Sequence, residues 1–167
     1  VMTGIRRSGK SVMLELIKQE LLESGVSSQN FISINFEDLR NAPLCNMQSL
    51  HEEILRRAES IHGKVFLFFD EIQEVQDWEK CVNSLRVALD CDIYITGSNA
   101  KLLSGELATY LGGRYVEFVI YPFSFAEFLA LYQPIAPQDS IQQCFQKYLL
   151  SGGMPYLANL QYREEPS

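Results

Sequence analysis

The chain has 167 residues, which is long enough for one well-packed domain and too short for two large ones. Its net charge of −7 disfavours general binding to nucleic acids by this part of the protein, because an acidic surface repels their phosphate backbone. The four cysteines form no C-x-x-C pair, which disfavours zinc and a disulfide framework. With no apolar run near the ~20 residues that span a bilayer, and no signal-peptide layout, we expect a soluble cytoplasmic protein with reduced thiols.

The first part of the chain shows alternating patterns of strands and helices. A stub of a strand over residues 1–3 stands directly before a glycine-containing loop that normally follows a complete buried strand, so we expect upstream residues to be missing. Apolar residues recur at helical spacing in three segments, which we predict as helices: 12–22, 47–61 and 78–89. Asp77 stands where its side chain would cap the third helix. Three segments carry strand patterns: 31–36, 65–69 and 93–95.

The second part of the chain continues the alternation and ends in helices. We predict a helix over 101–110, a fifth strand over 115–120, and two final helices over 123–132 and 141–150. Strands that alternate with helices indicate an α/β fold with a parallel sheet of about five strands, right-handed crossovers and helices on both faces. We therefore predict a core over 1–121, followed by a small helical, lid-like segment over 122–167.

Residues 4–11 fit the phosphate-loop pattern G-x-x-x-x-G-K-[ST] at every fixed position. The glycines allow consecutive N–H groups to converge on phosphate oxygens, and the following helix presents its positive end to the same anion. Lys10 would reach the β- and γ-phosphates, and the Ser11 hydroxyl would bind Mg²⁺. The alternative is a chance match in a glycine-containing loop. The predicted nucleotide-binding residues of this segment are Gly4, Ile5, Arg6, Arg7, Ser8, Gly9, Lys10, Ser11 and Val12. With this loop, the α/β pattern predicts the three-layer sandwich of a P-loop NTPase.

Asp70 and Glu71 follow the buried strand pattern at 65–69. An aspartate at the end of such a strand can hold Mg²⁺, directly or through a water. Because adjacent residues of a strand point in opposite directions, Glu71 would be free to activate a water for attack on the γ-phosphate. The alternative is a pair of acids that is merely solvated at a loop start. No guanine-reading N/T-K-x-D element is present, which favours ATP over GTP.

Two further segments carry candidate catalytic residues. Ser98 and Asn99 end the strand pattern at 93–95 and would hydrogen-bond the γ-phosphate or the attacking water, unless they only form a tight turn. Arg114 precedes the predicted fifth strand and would neutralise charge on the transferred phosphoryl group, in cis or from a neighbouring protomer. A surface ion pair is the other interpretation of Arg114.

A set of short motifs extends along nearly the whole chain: Asp70-Glu-Ile-Gln73, Trp78, Ile95-Thr-Gly-Ser-Asn-Ala100, Leu102-Leu-Ser104, Gly113-Arg114, Pro122-Phe-Ser-Phe125, Glu127-Phe128 and Gly152-Gly-Met-Pro155. Together with the phosphate loop they resemble a group of prokaryotic AAA+-like ATPases. Members of that group usually carry a further C-terminal domain, similar to restriction-endonuclease-like folds. The chain departs from that pattern in its shortened first strand and in stopping at Ser167, where the further domain would follow.

The resemblance implies specific roles for the motif residues. Lys10 and Ser11 would be the phosphate-loop pair, and Asp70 and Glu71 the metal and water pair. Ser98 or Asn99 would be the γ-phosphate sensor, and Arg114 an arginine finger or sensor. ATP and Mg²⁺ are therefore the predicted ligands.

Three functions remain open from the sequence. The first is Mg²⁺-dependent ATP hydrolysis coupled to movement of the helical lid and of any attached domain or protein partner, with a homo-oligomer as one expected assembly. The second is a nucleotide-gated switch with little turnover. The third is an ATP-driven motor on DNA, which the acidic composition counts against.

Overall fold

The computed structural model describes residues 1–97, 112 and 114–155. The predicted helix over 101–110 and the residues Ser98 and Asn99 lie outside these described residues. Contacts divide the chain into two units. The first unit comprises Val1–Thr3 and Lys10–Val119, and the second comprises Gly4–Gly9 and Ile120–Ser167.

Up to residue 95, the described elements of the first unit alternate between strands and helices, as predicted. They are β1 (Met2–Thr3), α1 (Lys10–Glu23), β2 (Phe31–Asn35), α2 (Met47–Ala58), β3 (Val65–Asp70), α3 (Trp78–Ala88), β4 (Cys91–Ile95) and β5 (Phe118–Val119). Short 3₁₀ turns at Ser28–Asn30, Leu39–Leu44 and Ile72–Glu74 connect some of them.

All strand pairs are parallel, which confirms the predicted sheet type. β3 lies between β2 and β4, and β1 pairs with β5. A single parallel bridge between Met2 and Thr96 joins the end of β1 to the residue after β4. The strand order is therefore β5–β1–β4–β3–β2, so β4 separates the strand of the phosphate loop from the strand that ends in Asp70.

Side chains of β3 alternate between two faces of the sheet. Val65, Leu67 and Phe69 belong to the main apolar core, which includes residues of α2 and α3. On the other face, Phe68 stacks on a tyrosine of β4 and lies 5.1 Å from the Lys18 ammonium of α1. Since α1 and the α2–α3 pair cover opposite faces, the first unit has the three layers predicted for a P-loop NTPase.

Several element boundaries differ from the prediction. α1 begins two residues earlier, at Lys10, and β4 begins at Cys91. Of the predicted strand over 115–120, only Phe118–Val119 is paired, because β1 offers only two residues for pairing. The predicted side-chain cap at Asp77 is wrong: its backbone is left-handed (φ 56°), and its carboxylate instead accepts a 2.7 Å hydrogen bond from Lys80.

The described part of the second unit contains a pair of helices, α4 (Phe125–Tyr132) and α5 (Ile141–Ser151). Each is preceded by a serine, Ser124 or Ser140, that forms a capping box with the residue three positions later, and this fixes both starting points. Phe128, Tyr132, Ala136 and Cys144 form the buried cluster between the helices.

The four cysteines of the chain are free thiols, as predicted. No described helix is long and apolar enough to cross a membrane.

Candidate active site

The loop over Gly4–Gly9 has a backbone that requires glycine at both ends. Gly4 has φ 151°, and a β-carbon there would lie 2.2 Å from the carbonyl oxygen of Ile120. Gly9 has φ 102°, a value that side-chain-bearing residues rarely adopt. Arg7 also has a positive φ, 67°, so the loop turns sharply between the two glycines.

Side chains of this loop fall into two groups. Ile5, Arg6 and Arg7 are exposed, whereas Ser8 is buried. The Ser8 hydroxyl has no hydrogen-bond partner among the described residues. A buried hydroxyl without a partner is uncommon in folded proteins and is a natural contact for a bound polar group.

Lys10, Ser11 and Val12 form the first turn of α1. The first N–H groups of a helix lack partners within the helix and carry a partial positive charge. Lys10 is buried, with only 4% of its surface exposed, which is unusual for a lysine and indicates that the fold holds its ammonium inside. Ser11 and Val12 are exposed. The start of α1 therefore combines a buried cation, an exposed serine and helix N–H groups.

The Asp70 carboxylate is the centre of a hydrogen-bond network at the end of β3. The Ser11 hydroxyl donates a 3.1 Å hydrogen bond to its Oδ1, and the Asn35 side-chain amide donates a 3.2 Å bond to its Oδ2. The Thr96 hydroxyl donates a short hydrogen bond to Oδ1. Asp70 is 8% exposed, and these three donors satisfy a charge that would be costly to bury alone.

Thr96 connects the two acidic residues through one hydroxyl. Its Oγ1 donates to Asp70 and accepts a 3.0 Å hydrogen bond from the backbone N–H of Glu71. The Thr96 carbonyl accepts a further 3.1 Å bond from the N–H of Ile72. Thr96 is fully buried, and it occupies this place because β4 lies next to β3. Sequence reasoning assigned no role to Thr96 or Asn35; the available signal was a polar residue at the carboxyl end of each neighbouring strand.

Glu71 turns away from Asp70 because of its backbone. The expected strand alternation is wrong for this pair, since β3 ends at Asp70 and Glu71 adopts a left-handed conformation (φ 56°, ψ 50°). Such a conformation is strained for glutamate, and strained residues of this kind cluster at functional sites. The Glu71 carboxylate lies 3.9 Å from the Lys10 ammonium and accepts a 2.5 Å hydrogen bond from the Gln73 side-chain amide. The two acids thus have separate partners.

A cavity of about 290 Å³ opens beside Ser11 and Asp70. Its further lining comes from α1 and β2 and includes Val12, Lys18 and Asn35. Since one water occupies roughly 30 Å³ in the liquid, the cavity has room for a hydrated ion. The hydroxyl and carboxylate oxygens at its wall are ligands that Mg²⁺ prefers. The described residues therefore fit a magnesium ion held by few protein ligands and several waters.

Arg114 lies near the amino ends of the strands, whereas Asp70 lies at the carboxyl end of β3. β5 runs parallel to β1 with Phe118 opposite Met2, and Arg114 precedes Phe118 by four residues. It lines a cleft of about 570 Å³ together with Val1, which precedes β1, and Cys91, which begins β4. The five residues of β4 span about 16 Å at ~3.3 Å per residue, and this length separates the amino ends of the strands from their carboxyl ends. The structure thus brings Lys10, Ser11, Asp70 and Glu71 together but does not bring Arg114 to them within one chain.

The sequence is similar to a known protein family and to two relatives. A family model described as AAA domain matches residues 1–129. The chain is 43% identical over 155 residues, 93% of its length, to an uncharacterized protein of Haemophilus influenzae. It is also 44% identical over 132 residues, 77% of its length, to an uncharacterized protein of Methanocaldococcus jannaschii. The matched regions cover 39% and 27% of those two relatives, so the chain is similar to only part of each.

Proposed function

This chain belongs to the AAA domain family, and on that premise we propose that it binds ATP with Mg²⁺ and hydrolyses the bond to the terminal phosphate. The observation that carries the proposal is the hydrogen bond between the Ser11 hydroxyl and the Asp70 carboxylate, with Lys10 and Glu71 3.9 Å from each other beside it. These four side chains are what phosphoryl transfer to water requires of a protein: a cation, two metal-facing oxygens and a base.

The phosphate-loop motif of residues 4–11 predicts where the phosphate groups bind. The N–H groups of Gly4–Gly9 and of the first turn donate to phosphate oxygens, as the motif predicts, and the Ser8 hydroxyl offers another donor. The Lys10 ammonium neutralises the β- and γ-phosphates. Ser11 and Asp70 hold Mg²⁺, which supplies charge neutralisation to the phosphate oxygens when it is bound. Val12, Ile5, Arg6 and Arg7 are the remaining residues that the motif predicts to contact the nucleotide.

Glu71 acts on the water. The water oxygen forms the new bond to the γ-phosphorus, while the bond from that phosphorus to the bridging oxygen breaks and ADP leaves with the electron pair. Glu71 accepts a proton from the attacking water as the bond forms. In the structure its carboxylate faces Lys10 at 3.9 Å. When a phosphate group binds the Lys10 ammonium, Oε1 of Glu71 loses this contact and can accept a hydrogen bond from the water.

Three other residues have proposed roles beside these four. Ser98 and Asn99, which follow the carboxyl end of β4, would sense the γ-phosphate. Arg114 would act in trans, at the site of a neighbouring copy of the chain, because its position at the amino end of the sheet favours a partner's site over its own. Hydrolysis would then require a homo-oligomer. We also propose that the nucleotide state is passed on to an attached domain or a protein partner.

The test is the steady-state release of phosphate from ATP by the protein. Glu71→Gln should lower kcat by about 100-fold or more while the affinity for ATP is kept, because only the base is lost. Lys10→Ala should instead weaken ATP binding. Glu74→Gln, an exposed acid on the same turn, is the matched control and should change neither quantity.

Two results would contradict the proposal in different ways. If the wild-type protein binds ATP but Glu71→Gln turns over at the wild-type rate, Glu71 is not the base. If ATP binds and no turnover occurs under any condition, the chain is a nucleotide-gated switch rather than an enzyme.

A further inference from the structure

Gln73 contacts the residue that we assign as the base. It lies in the turn Ile72–Glu74, directly after β3, and its side-chain amide donates a 2.5 Å hydrogen bond to Oε2 of Glu71. The donor must be the amide nitrogen, since an ionised carboxylate can only accept. The other oxygen of Glu71, Oε1, faces Lys10. The two carboxylate oxygens therefore have different partners.

These two partners differ in what happens when nucleotide binds. Lys10 is needed by the phosphates and gives up its contact with Glu71, whereas Gln73 has no such competing role. The turn that carries Gln73 is firmly anchored: Ile72 is fully buried, and its N–H donates a 3.1 Å hydrogen bond to the Thr96 carbonyl. Gln73 can thus keep Oε2 of Glu71 in place while Oε1 is released.

The other end of the Gln73 amide has no partner. Its carbonyl oxygen is buried and accepts no hydrogen bond from any described residue. Buried amide oxygens without a donor are rare, because the lost hydration costs about 1–3 kcal/mol. The oxygen sits on the same carbon as the nitrogen that holds Glu71, so it lies close to the carboxylate. A water between them would donate one O–H to Glu71 and the other to Gln73.

We propose that Gln73 is a positioning residue for hydrolysis: its amide nitrogen holds Oε2 of Glu71, and its carbonyl oxygen accepts the second hydrogen bond of the attacking water. This inference rests on the proposed function. During the step, the water oxygen bonds to the γ-phosphorus, one of its protons moves to Oε1 of Glu71, and ADP leaves with the bridging electron pair. The second proton stays on the new phosphate oxygen, still directed at Gln73.

The experiment compares Gln73→Leu with Glu71→Gln and with the double variant. Gln73→Leu keeps the size of the side chain and removes both hydrogen bonds. We expect kcat to fall by about 10- to 100-fold, while the Kd for a fluorescent ATP analogue with Mg²⁺ changes by less than about twofold. In the Glu71→Gln background, the same change should lower the single-turnover rate by no more than about twofold, because the base that Gln73 positions is already absent. Gln76→Leu, an exposed glutamine close in sequence, is the control and should behave as wild type.

The outcomes separate the two proposals. An active wild type with Gln73→Leu within about twofold of its kcat overturns the role of Gln73 alone, as does an equal loss in both backgrounds. An inactive wild type overturns the proposed function and this inference together. If thermal unfolding shows that Gln73→Leu does not fold, Gln73→Glu replaces it. That variant removes the donor and places a second carboxylate beside Glu71, so kcat should fall to the same extent, and an unchanged kcat again contradicts the proposal.

Discussion

The Ser11 hydroxyl donates a 3.1 Å hydrogen bond to Oδ1 of Asp70, although the two residues are 59 positions apart in the chain. The contact arises because α1 begins beside the carboxyl end of β3, where both side chains face one cavity. In open parallel α/β sheets, ligands bind at this edge. The pair offers two oxygens suited to a divalent cation, and it is the structural basis of the proposed ATP hydrolysis.

Thr96→Val tests whether the Thr96 hydroxyl supports both acidic residues. The change keeps the shape of the side chain but removes the donor to Asp70 and the acceptor for the Glu71 N–H. Leaving that partly buried N–H unpaired should lower the free energy of unfolding by about 1–3 kcal/mol, measured by urea denaturation. The Mg²⁺ concentration needed for half-maximal ATPase activity should also rise, because Asp70 is no longer held in place.

Thr3→Val is the matched control for this prediction. Thr3 is also buried, and its hydroxyl donates a 2.9 Å hydrogen bond to the carboxylate of Glu117, which is exposed. Because water can replace the lost donor there, the stability loss should be smaller and the Mg²⁺ dependence unchanged. Equal effects of the two substitutions on Mg²⁺ dependence would show that Thr96 has no special role at the site.

Mixing two inactive variants tests the action of Arg114 in trans. Arg114→Ala and Lys10→Ala should each be inactive alone, since one lacks the arginine and the other the phosphate ligand. In an equal mixture that exchanges subunits, about a quarter of the sites should combine an intact Lys10 with an intact neighbouring Arg114, and ATPase activity should return to that extent. Arg86→Ala, which removes another arginine of the same cleft, is the control and should stay active alone. Failure of the mixture to regain any activity would argue against a contribution across subunits.

Cys81 should resist alkylation in the folded protein. It is fully buried on α3, and burial raises the pKa of its thiol to about 11. The thiolate is the reactive form, so at pH 8 the folded protein holds Cys81 almost entirely as the unreactive thiol, whereas an unfolded chain has the ordinary thiol pKa of about 8.5. Mass spectrometry after a short iodoacetamide pulse should find Cys81 modified only in denaturant. Rapid labelling of Cys81 under native conditions would show that α3 does not pack as described.

Local patterns predicted much of this fold. The continuous apolar run from Val65 to Phe69 predicts a strand that is buried on both faces, and β3 is buried in this way. The helical spacing of apolar residues predicts α1, α2 and α3. The phosphate-loop motif and the acids after β3 located the candidate site. These features depend on residues that are close in sequence, and periodicity is most informative for them.

Features that depend on distant pairing were not predicted. β4 lies between β1 and β3, an order that depends on pairing between residues far apart in sequence. Because β4 is the neighbour of β3, Thr96 reaches Asp70. The left-handed backbone at Glu71 was also missed, because no local pattern requires it of a glutamate.

The most direct test of the account is the location of the metal. Crystals grown with Mn²⁺ in place of Mg²⁺ and a non-hydrolysable ATP analogue should show an anomalous peak in the cavity between Ser11 and Asp70. The peak should lie about 2.0–2.2 Å from the Ser11 hydroxyl oxygen and contact the Asp70 carboxylate directly or through one water. Bound analogue with no peak at this place, or with the metal held by other residues, would contradict the account.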